Sequence, residues 1–164
     1  MKTSRNWGIA AVSLVLLAGA CQQPAQFTTA DEATLKGMFD STVVWFKAKK
    51  FDNWAAGFAA DASLQPPNAK TVTGSAALLA WANAFPALEE LAFPNVKVAG
   101  DGNMAYGTSD YVLKPQGGPA DTGKQMVVFH RGADGKWAIV GVSFSSDLPV
   151  PAPAPAPTKA SAKK

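Results

Sequence analysis

Three polar residues could share proton-transfer work: Tyr106, Asp110 and His130. His130 is the only histidine. An imidazole titrates near neutrality, and a carboxylate beside it can orient it as a general acid or base. Tyr106 and Asp110 lie in an alternating stretch, Met104–Leu113, and His130 lies in a second one, Lys124–Arg131. If the loop between them centres near Gly118, Tyr106 falls opposite His130 and Asp110 opposite Met126. Period-two alternation then puts all three on one face. A slip of one residue would scatter them. On an outer face the same trio is a solvated or interface patch rather than a site. Other chemistries have less support. One cysteine and one histidine give no zinc-ligand cluster. There is no Gly-rich phosphate loop and no serine in a nucleophile elbow. No metal and no cofactor are expected.

The single cysteine, Cys21, has a different setting. Lys2 and Arg5 precede an apolar run, Ile9–Ala18, and Leu17-Ala18-Gly19-Ala20-Cys21 closes it with small residues. A basic start, a short apolar run and small residues are the parts of a secretory signal. The run is shorter than the roughly 20 apolar residues of a spanning helix. The close resembles a bacterial lipobox, with Ala18 where that motif usually has Leu. The resemblance implies removal of residues 1–20 and acylation of Cys21. It makes the expected location the cell envelope, at the periplasmic face of the outer membrane, with a lipid on Cys21 as the membrane contact.

The remaining organisation follows from composition. Residues 21–29 are expected to be a tether and 30–149 a single domain. Residues 150–164 alternate Pro with Ala or Val and end in lysines, a disordered basic tail with nothing to pack. The formal charge of +3 belongs to the ends. Without Lys2, Arg5, Lys159, Lys163 and Lys164, 10 basic residues face 12 acidic ones. The domain is then net acidic, which removes the electrostatic basis for nucleic-acid binding.

Positioning elements are legible from period and punctuation. Thr29-Ala30-Asp31-Glu32 has capping-box spacing. Leu35, Met38, Phe39, Thr42, Val43, Trp45 and Phe46 then recur at helical steps, predicting a first helix over 30–50. Asp52 can cap a second helix that carries Trp54 and Phe58 and ends near Asp61, before Pro66-Pro67. Thr73-Gly74 opens a third, through Leu78, Leu79, Trp81 and Phe85, which Pro86 stops. Beyond Pro86 the period becomes two. Strands are expected at Leu88–Ala99, Met104–Leu113, Lys124–Arg131 and Trp137–Ser145, with turns at Asp101-Gly102 and Asp134-Gly135. Helices followed by a strand meander predict an α+β domain, with helices covering one face of an antiparallel sheet.

Four segments carry a family resemblance. Phe51-Asp52-Asn53-Trp54 leads into Phe58-Ala59-Ala60-Asp61-Ala62. Leu64-Gln65-Pro66-Pro67-Asn68 precedes Gly74. Gly102–Tyr111 contains Ala-Tyr-x-x-x-x-Tyr. Asp134-Gly135-Lys136-Trp137 runs toward Ser146-Asp147-Leu148-Pro149. In this order they resemble the SnoaL-like branch of the nuclear-transport-factor-2-like superfamily, across residues 31–149. The resemblance implies a cone, a cystatin-like roll in which a curved sheet wraps the long first helix. It also implies a pocket at the open end and pairing of copies through the outer sheet face. Departures bear on function. Ketosteroid-isomerase-like members keep a carboxylate where this chain has Pro66, and a tyrosine on the first helix near the position of Thr42. Many relatives carry an aspartate near Val142 and a tryptophan near Phe144. The isomerase and cyclase mechanisms therefore do not carry over.

The aromatic residues allow a pocket or plain core. Phe46, Phe58, Leu64, Trp81 and Phe85 are expected near the open end, with Pro66 as a stiff rim and Trp137 deep in the core. The expectation is an envelope lipoprotein whose pocket binds a small apolar ligand or a partner without catalysis. Two alternatives stand beside it. One is a cyclase, isomerase or dehydratase-type enzyme using His130 with Asp110 or Tyr106. The other is a structural homodimer.

Overall fold

The computed structural model describes residues 26–149. The expected signal segment, Cys21, most of the tether and the Pro/Ala tail lie outside the described residues. No helix among the described residues is long and apolar enough to cross a membrane.

Helix α1 spans Thr29–Lys47. Its N-cap is Thr28 rather than Thr29, and the capping-box partner is Asp31 rather than Glu32. Tandem threonines, each followed three residues later by an acid, offer two frames. The chosen frame also gives the Asp31 carboxylate the Trp137 indole N–H and the Arg131 guanidinium. The helix buries Leu35, Phe39 and Phe46.

Helix α2, Phe51–Ala55, is a single turn. The expected helix through Asp61 is corrected: Phe58–Gln65 is strand β1. Phe58, Ala62 and Leu64 are buried on it, and Gly57 O accepts from Ile139 N at 2.9 Å, tying the chain to the sheet where a helix would have continued. Tertiary pairing here outweighs the helix-compatible composition of Phe58–Asp61. Strand β2, Val72–Thr73, precedes helix α3, Ser75–Asn83, which is entered through Gly74 at φ +86°. The long strand expected over Leu88–Ala99 is two: β3, Leu88–Ala92, and β4, Lys97–Asp101. Pro94 and Asn95, the latter at φ +60°, break the ladder between them. Strands β5 (Met104–Pro115), β6 (Asp121–Arg131) and β7 (Trp137–Ser146) complete the meander.

The seven strands form one sheet in the order β2-β1-β7-β6-β5-β3, with β4 also paired to β5. The curved sheet is unclosed, and the architecture is α+β, as the sequence predicts. One pairing departs from the antiparallel expectation: β1 runs parallel to β7. Odd-numbered residues of β5 and β6 face the helices. Ala105, Gly107, Ser109 and Tyr111 are buried, as are Val127 and Phe129. The Phe39 ring lies on Gly107, where a Cβ would come within 2.8 Å of it. Trp137 is only half-buried, which corrects its expected place deep in the core. It sits beside the first turn of α1, packed edge-on against Phe27, with Arg131 4.6 Å above its ring.

Candidate functional site

The interior space lies between the C-terminal half of α1 and the inner sheet face. Met38, Thr42 and Phe46 from α1 meet Trp54 of α2, Trp81 of α3 and the inner residues of β5, β6 and β7 around it. The cavity holds about 100 Å³, and about 760 Å³ when its mouth toward solvent is counted. Phe46, Phe58, Leu64, Trp81 and Phe85 line it, as the aromatic pattern suggested. Pro66 is not among the lining residues, which corrects its expected place at the rim. Leu64 is buried on β1 and Gln65 is exposed, and the strand ends there, so the chain leaves the cavity before Pro66.

The wall is almost wholly apolar. Rings meet edge to face or tilted, Trp54 with Phe58 at 4.5 Å between centroids and Trp81 with Phe85 at 4.9 Å. Apart from indole N–H groups, the polar side chains in it are Thr42, Tyr111 and Gln125. Each is engaged. Thr42 Oγ1 donates to Met38 O at 2.9 Å, and Gln125 Nε2 donates to Ser109 Oγ at 2.9 Å. Tyr111 O–H donates to Asp121 Oδ2 at 2.9 Å, and Ser146 Oγ donates to the other oxygen at 2.7 Å. Burial, and then the Asp121 carboxylate, push the Tyr111 phenol well above its ordinary value. Such a phenol is a poor acid toward a substrate, because its proton is already committed. Among the described residues, no carboxylate, imidazole or amine belongs to the cavity wall.

Tyr106, Asp110 and His130 do share one face, but it is the outer one. The β5–β6 register pairs Tyr106 with Val128, Asp110 with Lys124 and His130 with Met104. The loop centres one residue earlier than expected, which shifts the pairing by two and preserves the face. Tyr106 and His130 are exposed. Asp110 accepts from Asn95 Nδ2 at 2.7 Å and borders an open groove with Lys124 and Met126. The sheet separates all three from the cavity, so the proton-transfer trio is corrected to a surface patch.

Sequence reasoning missed Tyr111, Asp121 and Gly123. A Cβ on Gly123 would come within 2.5 Å of the Tyr111 ring, so the glycine lets the phenol cross β6 toward Asp121. The available signal was a glycine inside a strand, which often marks a close approach. Thr42, Val142 and Phe144 all line the cavity. They lie at or near the positions where the resemblance implies Tyr, Asp and Trp.

Residues 27–140 match the SnoaL-like domain family. The chain belongs to that family. No curated protein matches it. Solved structures similar to this SnoaL-like chain show the same fold. One is a nuclear-transport-factor-2-like protein with a cystatin-like fold from Novosphingobium aromaticivorans, at 13% identity and TM-score 0.60, covering 68% of this chain and 79% of that one. A protein of unknown function from Nostoc punctiforme, also cystatin-like, has 16% identity and TM-score 0.66 over 77% and 98% of the two chains. A ketosteroid isomerase-like protein from Erwinia carotovora atroseptica has 14% identity and TM-score 0.64 over 74% and 100%. The SnoaL-like domain thus shares its scaffold with enzyme-like and uncharacterised proteins, and the scaffold alone does not choose between them.

Proposed function

We propose that this chain is an exported lipoprotein, anchored through Cys21, whose SnoaL-like domain binds a compact apolar molecule or group without transforming it. The observation that carries the binding reading is the cavity wall: rings and aliphatic side chains around a space whose hydroxyls are already committed to protein partners. Its 100 Å³ falls below the roughly 300 Å³ of drug-sized sites. The guest is therefore one ring or one branched group, with the rest of a larger molecule held in the mouth. The non-catalytic part is supported by the wall itself, in which, among the described residues, no carboxylate, imidazole or amine stands ready to take a proton. Native mass spectrometry of the full chain purified from the envelope tests the whole reading. It is expected to show an acyl mass on Cys21 and a small retained adduct. An unacylated thiol on mature protein would overturn the anchor. Turnover of a compound that disappears on changing Tyr111 or Thr42 would overturn the absence of catalysis.

A second reading rests on the outer sheet face. Met104, Tyr106 and Met126 are 47%, 49% and 48% exposed there, close together on two adjacent strands. An exposed apolar group of this kind suits an interface between copies of the chain. Light scattering of the full chain is expected to give a dimer that Met126→Lys dissociates. A monomer at all concentrations would exclude the pairing.

A further inference from the structure

The polar groups of the wall specify the guest further, on the premise that the cavity binds a small molecule at all. They differ in what they have left to offer. Thr42 and Tyr111 have donated their hydroxyl hydrogens, to Met38 O and to Asp121. Gln125 is engaged only in part. It lies on the inner face of β6, between Ser109 of β5 and Phe144 of β7, and lines the cavity. A carboxamide has two N–H donors and a carbonyl oxygen with two lone pairs. One hydrogen on Nε2 goes to Ser109 Oγ at 2.9 Å, which holds that end of the amide in place. Oε1 accepts from no described residue. Nor is it sealed inside the protein. Among the described residues, Arg131 Nε alone is a fully buried side-chain polar atom without a partner. Gln125 Oε1 is therefore open to solvent-sized space, and the space against the inner face of β6 here is the cavity.

We propose that Gln125 selects an apolar guest bearing one uncharged hydroxyl, a phenol or a compact branched alcohol, whose hydrogen Oε1 accepts. A carbonyl oxygen turned toward an apolar space loses hydration without return unless the guest supplies a donor. Thr42 and Tyr111 keep lone pairs but no hydrogen, so they too favour a guest that donates. The donor is uncharged, because among the described residues the wall has no carboxylate to meet an ammonium group. It has no lysine or arginine to meet a carboxylate guest either. A hydroxyl is the smallest group that fits these limits, and it leaves the space of about 100 Å³ to the apolar part.

The test compares three probes of one ring each on the full chain. Phenol donates a hydrogen bond, toluene puts a methyl group in place of that hydroxyl, and pyridine accepts without donating. All are titrated calorimetrically at pH 8, where pyridine is neutral. Phenol is expected to bind at least as tightly as toluene, although water solvates its hydroxyl, and more tightly than pyridine. Gln125→Met, close in volume, is expected to weaken phenol relative to toluene about three- to tenfold, the range of one net hydrogen bond. The side-chain amide signals of Gln125 in a heteronuclear NMR spectrum are expected to move with phenol and to stay in place with toluene. That readout and the order of the three probes need only the unmodified chain, so they decide the matter even if the variant fails to fold. Toluene binding more tightly than phenol, or a ratio that Gln125→Met leaves unchanged, would overturn the hydroxyl assignment and leave the apolar pocket standing. Pyridine binding as tightly as phenol would overturn it as well, since the amide or indole N–H groups would then be reading the guest. If no probe binds, the pocket reading falls and the assignment falls with it.

Discussion

Asp31 Oδ1 accepts the indole N–H of Trp137 at 2.9 Å, joining the first turn of α1 to the first residue of β7 across 106 positions of sequence. The other oxygen takes Thr28 N–H at 2.9 Å, the Thr28 hydroxyl at 2.7 Å and the Arg131 guanidinium at 2.8 Å. One carboxylate therefore caps the helix, fixes the indole and fixes the arginine that stacks on that indole. The sheet cannot rotate about α1 without breaking several of these bonds together.

The pH dependence of stability follows from this hub. The Trp137 hydrogen bond first, then those of Thr28 and the Arg131 charge, hold the Asp31 carboxyl well below its ordinary value near 3.8. A carboxyl lowered on folding contributes stability that is present above its unfolded value and lost as pH falls through the folded one. Urea midpoints of the unmodified chain are expected to drop below about pH 4, and Asp31→Asn is expected to flatten that limb while lowering the midpoint at neutral pH. An unchanged acid limb in the variant would show that other carboxylates dominate.

Tyr111 sets the opposite limb. Its phenol is raised above an ordinary value near 10.0 by burial and by Asp121. The stability it contributes is complete below about pH 10 and is lost as pH rises toward the folded value. Denaturation followed from pH 8 to 12 is expected to show an alkaline fall that Tyr111→Phe reduces. A spectrophotometric titration in which every tyrosine ionises near 10 would contradict the buried hydrogen bond.

Gly107 and Gly123, on the inner sheet face, carry close approaches without positive φ. Gly107→Ala places a Cβ 2.8 Å from the Phe39 ring, which can tilt, so the cost is expected at the low end of the ~1–3 kcal/mol of overpacking. Gly123→Ala meets the Ser145 carbonyl as well as Tyr111. Backbone on β7 must then move, and the loss is expected to exceed that of Gly107→Ala in parallel urea titrations.

Phe129 is fully buried between the sheet and Phe39, at 6.3 Å between ring centroids. Phe129→Ala is expected to cost ~3–5 kcal/mol, as large-to-small core changes do. Val44, 61% exposed on the outer side of α1, is the control, and Val44→Ala is expected to change the same denaturation midpoint by less than ~0.5 kcal/mol.

Much of this molecule is written locally, and the exceptions have identifiable causes. The apolar steps from Leu35 to Phe46 predict α1 because helix period and burial agree there. The fate of Phe58–Asp61 is not local: short, alanine-rich and preceded by Trp54, it fits a helix until parallel pairing with β7 claims it. The trio of Tyr106, Asp110 and His130 shows how alternation fixes a shared face but not which face. Inside and outside are decided by whether odd or even residues meet α1, and Gly107 under Phe39 decides it. The five lining residues legible in advance are large and apolar. The polar groups that set the cavity's character depend on contacts across ten or more positions, Tyr111 to Asp121 and Gln125 to Ser109, which spacing alone does not pair.

The most direct measurement is a heteronuclear NMR titration of the full chain with toluene, repeated on Val142→Trp, which fills the cavity. Saturable shifts at Thr42, Trp81, Tyr111 and Val127 in the unmodified chain, absent in the filled variant, are expected. Shifts confined to the outer face around Tyr106 and Met126, or no saturable shifts at all, would contradict a binding cavity.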